Sequence, residues 1–322
     1  MNILYAHIKM MIFIVSMREI LFLFDADSNS GLGHYSRIRA YSFYFEKYKK
    51  KIKTNLIGLV EKKACVHPII PKNIRIKTHD EVKYIFDCNH EYVVFLDSYN
   101  QIFCKYFYEI KNELRCIKKL VSFCDDGRLS IIKNSDIIID STYSVQGECK
   151  EIVSGVDAVV LNPECYLNDV CRYDELKNET VFLLGNSPLS AKFLAAGDWG
   201  ALFPNKVDTY PGHDFSYYKF ESCKSEINIG SITKYADRIV VSAGQSLWEA
   251  SLNKDMIYVV PLNKDQYDIL KRLLINNLFK IIKRFKHNNY DIFLLSVELK
   301  TKRSLSRNFE KIKYLFKVLG FL

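Results

Sequence analysis

The chain has 322 residues, of which 48% are hydrophobic, and a formal net charge of +9. This length and hydrophobic content allow two domains with separate cores and exclude a disordered or fibrous protein. Thirteen Lys and Arg residues follow Leu270 against three acidic ones, so that segment carries +10 and the remainder of the chain −1.

The N-terminal segment contains an apolar run at residues 10–15 that is too short to span a bilayer and has no small-residue cleavage site after it. A second apolar run, which begins at Met17, has the pattern of a first buried strand. We therefore expect the native start at Met17, with residues 1–16 as an upstream extension. The nine cysteines stand singly without a C-x-x-C pair, which predicts reduced thiols in a reducing compartment and argues against structural zinc.

Short apolar runs alternate with longer helix-like segments along the chain. These runs cover residues 20–24, 53–59, 92–96, 119–123, 137–139, 158–161, 181–184, 238–241 and 256–260. They are continuous rather than alternating in polarity, as is typical of strands buried on both faces of a parallel sheet. The sequence therefore predicts an α/β fold with doubly wound sheets.

A polar stretch at residues 172–180 is the predicted linker. It separates an N-terminal Rossmann-like domain, residues 17–172, from a nucleotide-binding Rossmann-like domain, residues 177–270. Residues 271–322 are predicted to form a basic helical tail, which favours an anionic membrane surface or is simply a solvated helix face. No basic stripe with interleaved aromatic residues accompanies the tail, so no nucleic-acid partner is expected.

The first element that can carry chemistry follows the first predicted strand. Gly31 and Gly33 allow a tight turn, and a helix that begins near His34 would present free N–H groups and a positive dipole end to a phosphate or sugar oxygen. Ser36 stands where a dinucleotide fingerprint has its third glycine, which argues against NAD. We expect the His34 imidazole to remain neutral and to act as a general base; a surface or N-cap histidine is the alternative.

The second element follows the predicted strand at residues 238–241. Gly244, Gln245 and Ser246 are predicted to begin another helix that can hold phosphate, and Glu249 on its first turn can accept hydrogen bonds from ribose hydroxyls. The alternative is a capping box, since Ser246 and Glu249 match the pattern S-x-x-E.

Polar turns follow three further predicted strands, at residues 97–100, 125–127 and 185–188. In open α/β sheets ligands bind outside the carboxyl ends of the strands. Carboxylates of the first two turns could orient sugar hydroxyls or assist proton transfer, and they could equally cap the turns and the helices that follow.

Together these motifs resemble one family, with the matching residues at 27–34 and 37, 95–99, 122–126 and 236–249. The family comprises the nucleotide-sugar hydrolases that remove UDP from a diacetamido-trideoxy-hexose on the route to pseudaminic acid. They are themselves similar to the lipid-linked N-acetylglucosaminyltransferase of peptidoglycan synthesis. The similarity covers about residues 17 to 270.

The resemblance implies a GT-B-like fold, with two Rossmann-type domains on either side of a cleft, and a UDP-sugar as substrate. It implies that His34 activates water at the anomeric carbon, with no metal and no cofactor. The implied substrate contacts are Asp27, Gly31, Gly33, Arg37, Tyr99 and Asp126. The implied nucleotide contacts are Gly185, Asn186, Ser187, Gly244, Gln245, Ser246 and Glu249.

Two alternatives to the hydrolase stay open. One is a glycosyltransferase of the same fold, which the basic tail favours because such enzymes work at membrane faces. The other is a non-catalytic nucleotide-sugar-binding homologue, suggested by the turn at Gly185, which lacks the family's Gly-Gly-x-Asp. The expected location is the cytoplasm; peripheral association with the inner membrane face and the oligomeric state are left open.

Overall fold

A computed structural model describes residues 18–27, 33–48, 52–62, 64–66, 70–145, 151–166, 180–184, 188–196, 202 and 229–321. The described strands are β1 (Arg18–Asp25), β2 (Thr54–Val60), β3 (Arg75–Thr78), β4 (Glu91–Asp97), β5 (Ile117–Phe123), β6 (Ile137–Asp140), β7 (Ile152–Ser154), β8 (Thr180–Leu183), β9 (Arg238–Ser242), β10 (Met256–Val260), β11 (Phe279–His287) and β12 (Tyr290–Val297). The described α-helices are α1 (Gly33–Tyr48), α2 (Gln101–Glu113), α3 (Leu129–Asn134), α4 (Pro188–Ala195), α5 (Ile229–Tyr235), α6 (Gln245–Asn253), α7 (Lys264–Ile275), α8 (Leu299–Leu305) and α9 (Asn308–Val318).

The first sheet has seven strands in the order β3-β2-β1-β4-β5-β6-β7, and every neighbouring pair is parallel. Its two faces have separate cores. Ile20, Phe22 and Phe24 of β1 point to one face, and Leu21 and Leu23 to the other. Because helices cover both faces, the central strands can be apolar throughout, which confirms the predicted α/β class and the doubly wound arrangement of this sheet.

The chain order of this sheet reverses beside β1, whose neighbours are β2 on one side and β4 on the other. The crevice outside the carboxyl ends of two such strands is where open α/β sheets bind ligands. Phe24 of β1 is in register with Asp97, the last residue of β4. The reversal therefore places the polar turns after β1 and β4 next to each other.

The second sheet is mixed, in the order β11-β12-β10-β9-β8. Strands β8, β9 and β10 are parallel, whereas β12 runs antiparallel to β10 and β11 antiparallel to β12. The prediction of a helical tail over residues 271–322 is therefore wrong in part. A hairpin of β11 and β12 occupies residues 279–297, with Asn288 at φ 51° in its turn, a conformation that asparagine tolerates well.

Sequence periodicity misses this hairpin because β11 has no buried face. Only Phe279 of its nine residues is buried, and the lysines that alternate irregularly with isoleucines give no period of two. Strands β3 and β7 are also missing from the prediction; they have four and three residues and contain no fully buried side chain.

The predicted strand at residues 158–161 is wrong. A short 3-10 helix, Gly155–Ala158, leads into a segment that pairs with no described strand and packs between the two cores. Ala158 and Val160 join the core of the first sheet, whereas Val159 and Leu161 join the core of the second. A segment that is buried on both sides has a continuous apolar sequence, as an inner strand does. Here the two sides face the cores of different sheets, so the sequence resembles a strand although none forms.

The C-terminal helices return to the first domain along this segment. Phe316 of α9 packs against Phe45 of α1, with ring centroids 4.8 Å apart. The buried Lys311 ammonium donates hydrogen bonds to the carbonyls of Val156 and Val159, at 2.8 and 2.7 Å. Burial lowers the pKa of Lys311 to about 7. The last helix is therefore part of the first core and not a free tail.

Several sequence predictions lie outside the described residues: the upstream extension, most of the linker at 172–180, and the turn at 185–187. Within the described ranges, the protein has no helix of the length and apolar character needed to cross a membrane.

Candidate functional site

His34 is the second residue of α1 and lies almost completely buried beside β4. Its Nδ1 is 2.6 Å from Oδ1 of Asp97. Because an ionised carboxylate only accepts hydrogen bonds, Nδ1 must carry the proton, and Nε2 of the neutral ring is then a bare acceptor. Among the described residues Nε2 has no hydrogen-bond partner. The ring is held in the orientation and tautomer that a general base requires.

Asp97 also binds Arg37, three residues further along α1. The guanidinium donates from Nε to Oδ2 at 2.8 Å and from Nη2 to Oδ1 at 2.7 Å, and its Nη1 donates to Oδ2 of Asp125 at 2.5 Å. The Arg37 side chain is 12% exposed and the Asp97 side chain 2%. Arg37 thus forms ion pairs with carboxylates at the carboxyl ends of both β4 and β5. Its hydrogen-bonded guanidinium compensates the negative charges of Asp97 and Asp125.

The charges of this network move the pKa values of its members in opposite directions. Burial alone opposes the carboxylate form of Asp97, but Arg37 and His34 outweigh it and hold the Asp97 pKa well below its ordinary value. Burial likewise opposes the imidazolium of His34, yet the carboxylates of Asp97 and Asp25 raise the His34 pKa above 6.5. Against the expectation that His34 remains neutral, the adjacent carboxylates outweigh burial and Arg37 and shift the His34 pKa in favour of the charged ring.

Asp25, the last residue of β1, is a further buried carboxyl at this site, 4% exposed. Its Oδ2 accepts the Tyr99 N–H at 2.7 Å, while its Oδ1 has no partner among the described residues. Burial raises the pKa of Asp25, and the positive charge of His34 opposes that rise. The Tyr99 ring meets the His34 ring edge to face, with centroids 4.6 Å apart, and is half exposed. Tyr99 therefore separates His34 from solvent.

The other predicted substrate contacts are less closely placed. Asp27 forms an isolated bridge with Val66, and Gly31 lies outside the described residues. Gly33 begins α1, where an added Cβ would have no described atom within 4 Å, so packing does not demand glycine there. Asp126 pairs with Arg128 at 2.7 Å. Of these predicted residues, the structure brings together His34, Arg37 and Tyr99.

The second predicted element forms α6. Its N-cap is Gly244 rather than Ser246, so the capping-box alternative is wrong, and Glu249 lies beyond the first turn. Glu249 is buried, 4% exposed. The Nε2 of Gln245 is buried without a hydrogen-bond partner among the described residues. The first turn of this nine-residue helix therefore has N–H groups and an unused amide donor available to an anion.

A contact links the second sheet's helices to the first network. Arg272 of α7 donates from Nε to the carbonyl of Thr142 at 2.9 Å and from Nη2 to the carbonyl of Asp125 at 3.3 Å. Asp125 thus receives Arg37 on its side chain and Arg272 on its backbone. The predicted nucleotide contacts Gly185, Asn186 and Ser187 lie outside the described residues.

The sequence analysis gives Asp25 no role at the site. It offers the carboxylates of the turns at residues 97–100 and 125–127 for sugar hydroxyls or proton transfer, but names only Asp126 among the substrate contacts. The useful signal is position: Asp25 and Asp97 are the last residues of β1 and β4, and Asp125 follows the end of β5 by two residues. Asp126, the second aspartate of the turn after β5, instead accepts a hydrogen bond from Arg128.

We expect the His34 ring to titrate above pH 6.5. A raised folded-state pKa means that this ion pair stabilises the fold fully below about pH 6.5 and that the contribution is lost as the pH rises through the folded value. Nitrogen-15 NMR of the histidine side chains, assigned with a His34→Gln variant, measures both the pKa and the tautomer. A ring that titrates below 6.5, or that is protonated on Nε2 when neutral, would contradict the assignment.

The fold and the site define an α/β protein with a buried histidine–carboxylate–arginine network at the ligand-binding edge of a parallel sheet. The sequence matches no protein-family model and no curated protein. Functional conclusions therefore depend on the chemistry of these residues and on the motif resemblance.

Proposed function

We propose that the chain is a nucleotide-sugar hydrolase that releases UDP from an amino-sugar donor by attack of water at the anomeric carbon. The observation that carries the proposal is the His34–Asp97 pair, which leaves a bare imidazole nitrogen beside the reversal in a parallel sheet. The resemblance to hydrolases that act on UDP-linked diacetamido-trideoxy-hexoses on the route to pseudaminic acid supplies the substrate class.

In the proposed reaction, Nε2 of His34 removes a proton from water as its oxygen bonds to the anomeric carbon and the bond to the UDP oxygen breaks. Asp97 orients the ring and stabilises the imidazolium that forms, while Arg37 keeps Asp97 ionised. Because Tyr99 covers the ring, its side chain has to turn aside for the sugar to reach Nε2.

The departing UDP carries negative charge that needs stabilisation. In this proposal the N-terminus of α6, with Gly244 as N-cap and the Gln245 amide, which has no partner among the described residues, receives the diphosphate. Glu249 accepts hydrogen bonds from the ribose. The two sheets then act as the halves of a GT-B-like cleft, with His34 on one side and α6 on the other, and the protein works in the cytoplasm.

A glycosyltransferase is the second candidate, because a base that takes a proton from water can take one from an acceptor hydroxyl in the same geometry. Incubation of the protein with a panel of UDP-sugars separates the candidates. UDP release in water alone supports the hydrolase, and release only with an added acceptor supports the transferase. UDP binding without release under either condition would leave a non-catalytic binding protein.

Glu249→Gln is expected to weaken UDP binding about tenfold or more, since charged hydrogen bonds contribute about 1.5–3 kcal/mol, while the titration of His34 stays unchanged. Isothermal titration calorimetry with UDP measures the affinity. Asp237→Asn, which removes a carboxylate from an exposed ion pair with Arg238, is the matched control and should bind UDP normally. Equal affinities for Glu249→Gln and wild type would refute the ribose contact.

A further inference from the structure

Five of the large aliphatic side chains that the structure exposes lie around one end of the second sheet. They are Met256 (58% exposed), Ile275 (67%), Ile281 (43%), Ile282 (52%) and Leu299 (69%). Isolated exposed aliphatic residues are common, but a cluster beside charged groups marks an interaction surface. We call these five residues, together with Lys280, Lys283 and Lys300, the hairpin surface.

Strand pairing brings the members of the hairpin surface together. Met256 pairs with Ser296, and Ser296 pairs with Lys280, so these positions follow one another across three strands. The N–H of Glu298, next to Leu299, donates to the carbonyl of Leu278. Lys300 reaches the carbonyl of Asn276, next to Ile275, at 3.2 Å. The ends of α7 and β12 and the starts of β10, β11 and α8 therefore form one continuous region.

The strand β11 lies at the edge of the sheet in this region, and its exposed side chains indicate what the hairpin surface can bind. A register shift between Ile281 and Lys283 exposes both neighbouring isoleucines, and no other described strand pairs with the free side of β11. Lysines on an edge strand prevent pairing with other chains. That role accounts for the charges, but two exposed isoleucines on the same strand would work against it.

Lysines interleaved with exposed aliphatic side chains match an anionic lipid surface, where the ammonium groups meet headgroups and the aliphatic groups enter the interface. A second copy of this chain fits poorly, since antiparallel pairing of two β11 strands would place their lysines against each other. We propose that the hairpin surface docks the protein on an anionic membrane, whatever reaction the first sheet performs.

The test is co-sedimentation of the full chain with vesicles of phosphatidylcholine alone or mixed with phosphatidylglycerol. We expect binding to the mixed vesicles only, weakened by salt and unaffected by inorganic phosphate at equal ionic strength. Lys280→Glu/Lys283→Glu/Lys300→Glu should reduce the partition coefficient roughly a hundredfold or more, since each basic residue near such a surface contributes about fivefold. Ile281→Ser/Ile282→Ser should also reduce it while retaining the salt dependence.

The matched control is Lys72→Glu/Lys105→Glu/Lys192→Glu, which changes the net charge equally at exposed lysines elsewhere. Circular dichroism melting confirms that each variant is folded. The proposal is overturned if wild type remains in the supernatant, if the control loses as much binding as the hairpin variant, or if the isoleucine variant binds as wild type does. Self-association of the wild type without lipid that the hairpin variants abolish would also overturn it, in favour of a second copy.

Discussion

His34→Ala is expected to lower the rate of UDP release by roughly 10³–10⁴-fold, while the affinity for UDP changes little. A positioned base contributes about 10²–10⁴-fold, and loss of the base from a histidine–carboxylate pair lies at the upper end. UDP affinity is retained because the nucleotide is assigned to α6, on the other sheet. Single-turnover rates and calorimetry on the same preparation measure the two quantities.

Asp97→Asn tests whether the orientation of His34, and not its presence alone, matters. The asparagine amide can donate to Nδ1, which moves the ring proton to Nε2 and turns the base into a donor. We expect a loss of about 10³-fold or more. The pKa of His34 should fall because the Asp97 carboxylate that raises it is gone. The residual activity of the variant, which increases as His34 loses its proton, should therefore begin to increase at a lower pH than the activity of wild type. A His34→Ala variant with normal turnover would refute the role of the base, and an unshifted pH profile in Asp97→Asn would refute the coupling.

Much of the first sheet could be predicted because its inner strands are apolar on both faces, as in β1 and β4. The hairpin could not, because β11 is exposed along nearly its whole length and carries no period of two. The segment at Val159 shows the opposite failure: it is buried on both sides, yet it pairs with none of the described strands, and its two sides belong to different cores.

The residues of the candidate site could be predicted where the local sequence is enough to select them. They could not be predicted where their contacts come from residues distant in the sequence. A histidine at a helix start after a glycine turn identifies His34 without a structure. Its pKa depends on Asp97, 63 residues away, and on Asp25, which the register of β1 and β4 brings beside it. Which of two adjacent aspartates meets Arg37 is decided by the turn after β5, where Asp126 is held by Arg128.

Arg37→Met is expected to destabilise the fold by about 3–5 kcal/mol at neutral pH, the usual cost of removing one partner from a buried ion pair. Arg37 is the residue that compensates both Asp97 and Asp125, and its side chain is 12% exposed. Methionine retains most of the apolar volume against Phe123, over whose ring the guanidinium lies. The decrease in the free energy of unfolding therefore reflects the missing charge and not lost packing. Urea unfolding monitored by circular dichroism measures this free energy.

The pH dependence of that loss separates an electrostatic cause from a packing cause. In wild type the lowered pKa of Asp97 contributes stability that is fully present above its unfolded value, about 3.9, and is lost as the pH falls through the folded value. Without Arg37, buried Asp97 is costly while ionised, so the deficit of Arg37→Met should be largest near neutral pH and shrink as the pH falls and the carboxyl takes up a proton. Lys118→Met, which removes the cation of the more exposed pair with Glu91, should cost less than about 1 kcal/mol at any pH. A deficit in Arg37→Met that stays constant from neutral to acidic pH would mean that the arginine stabilises the site by packing alone and not by compensating Asp97.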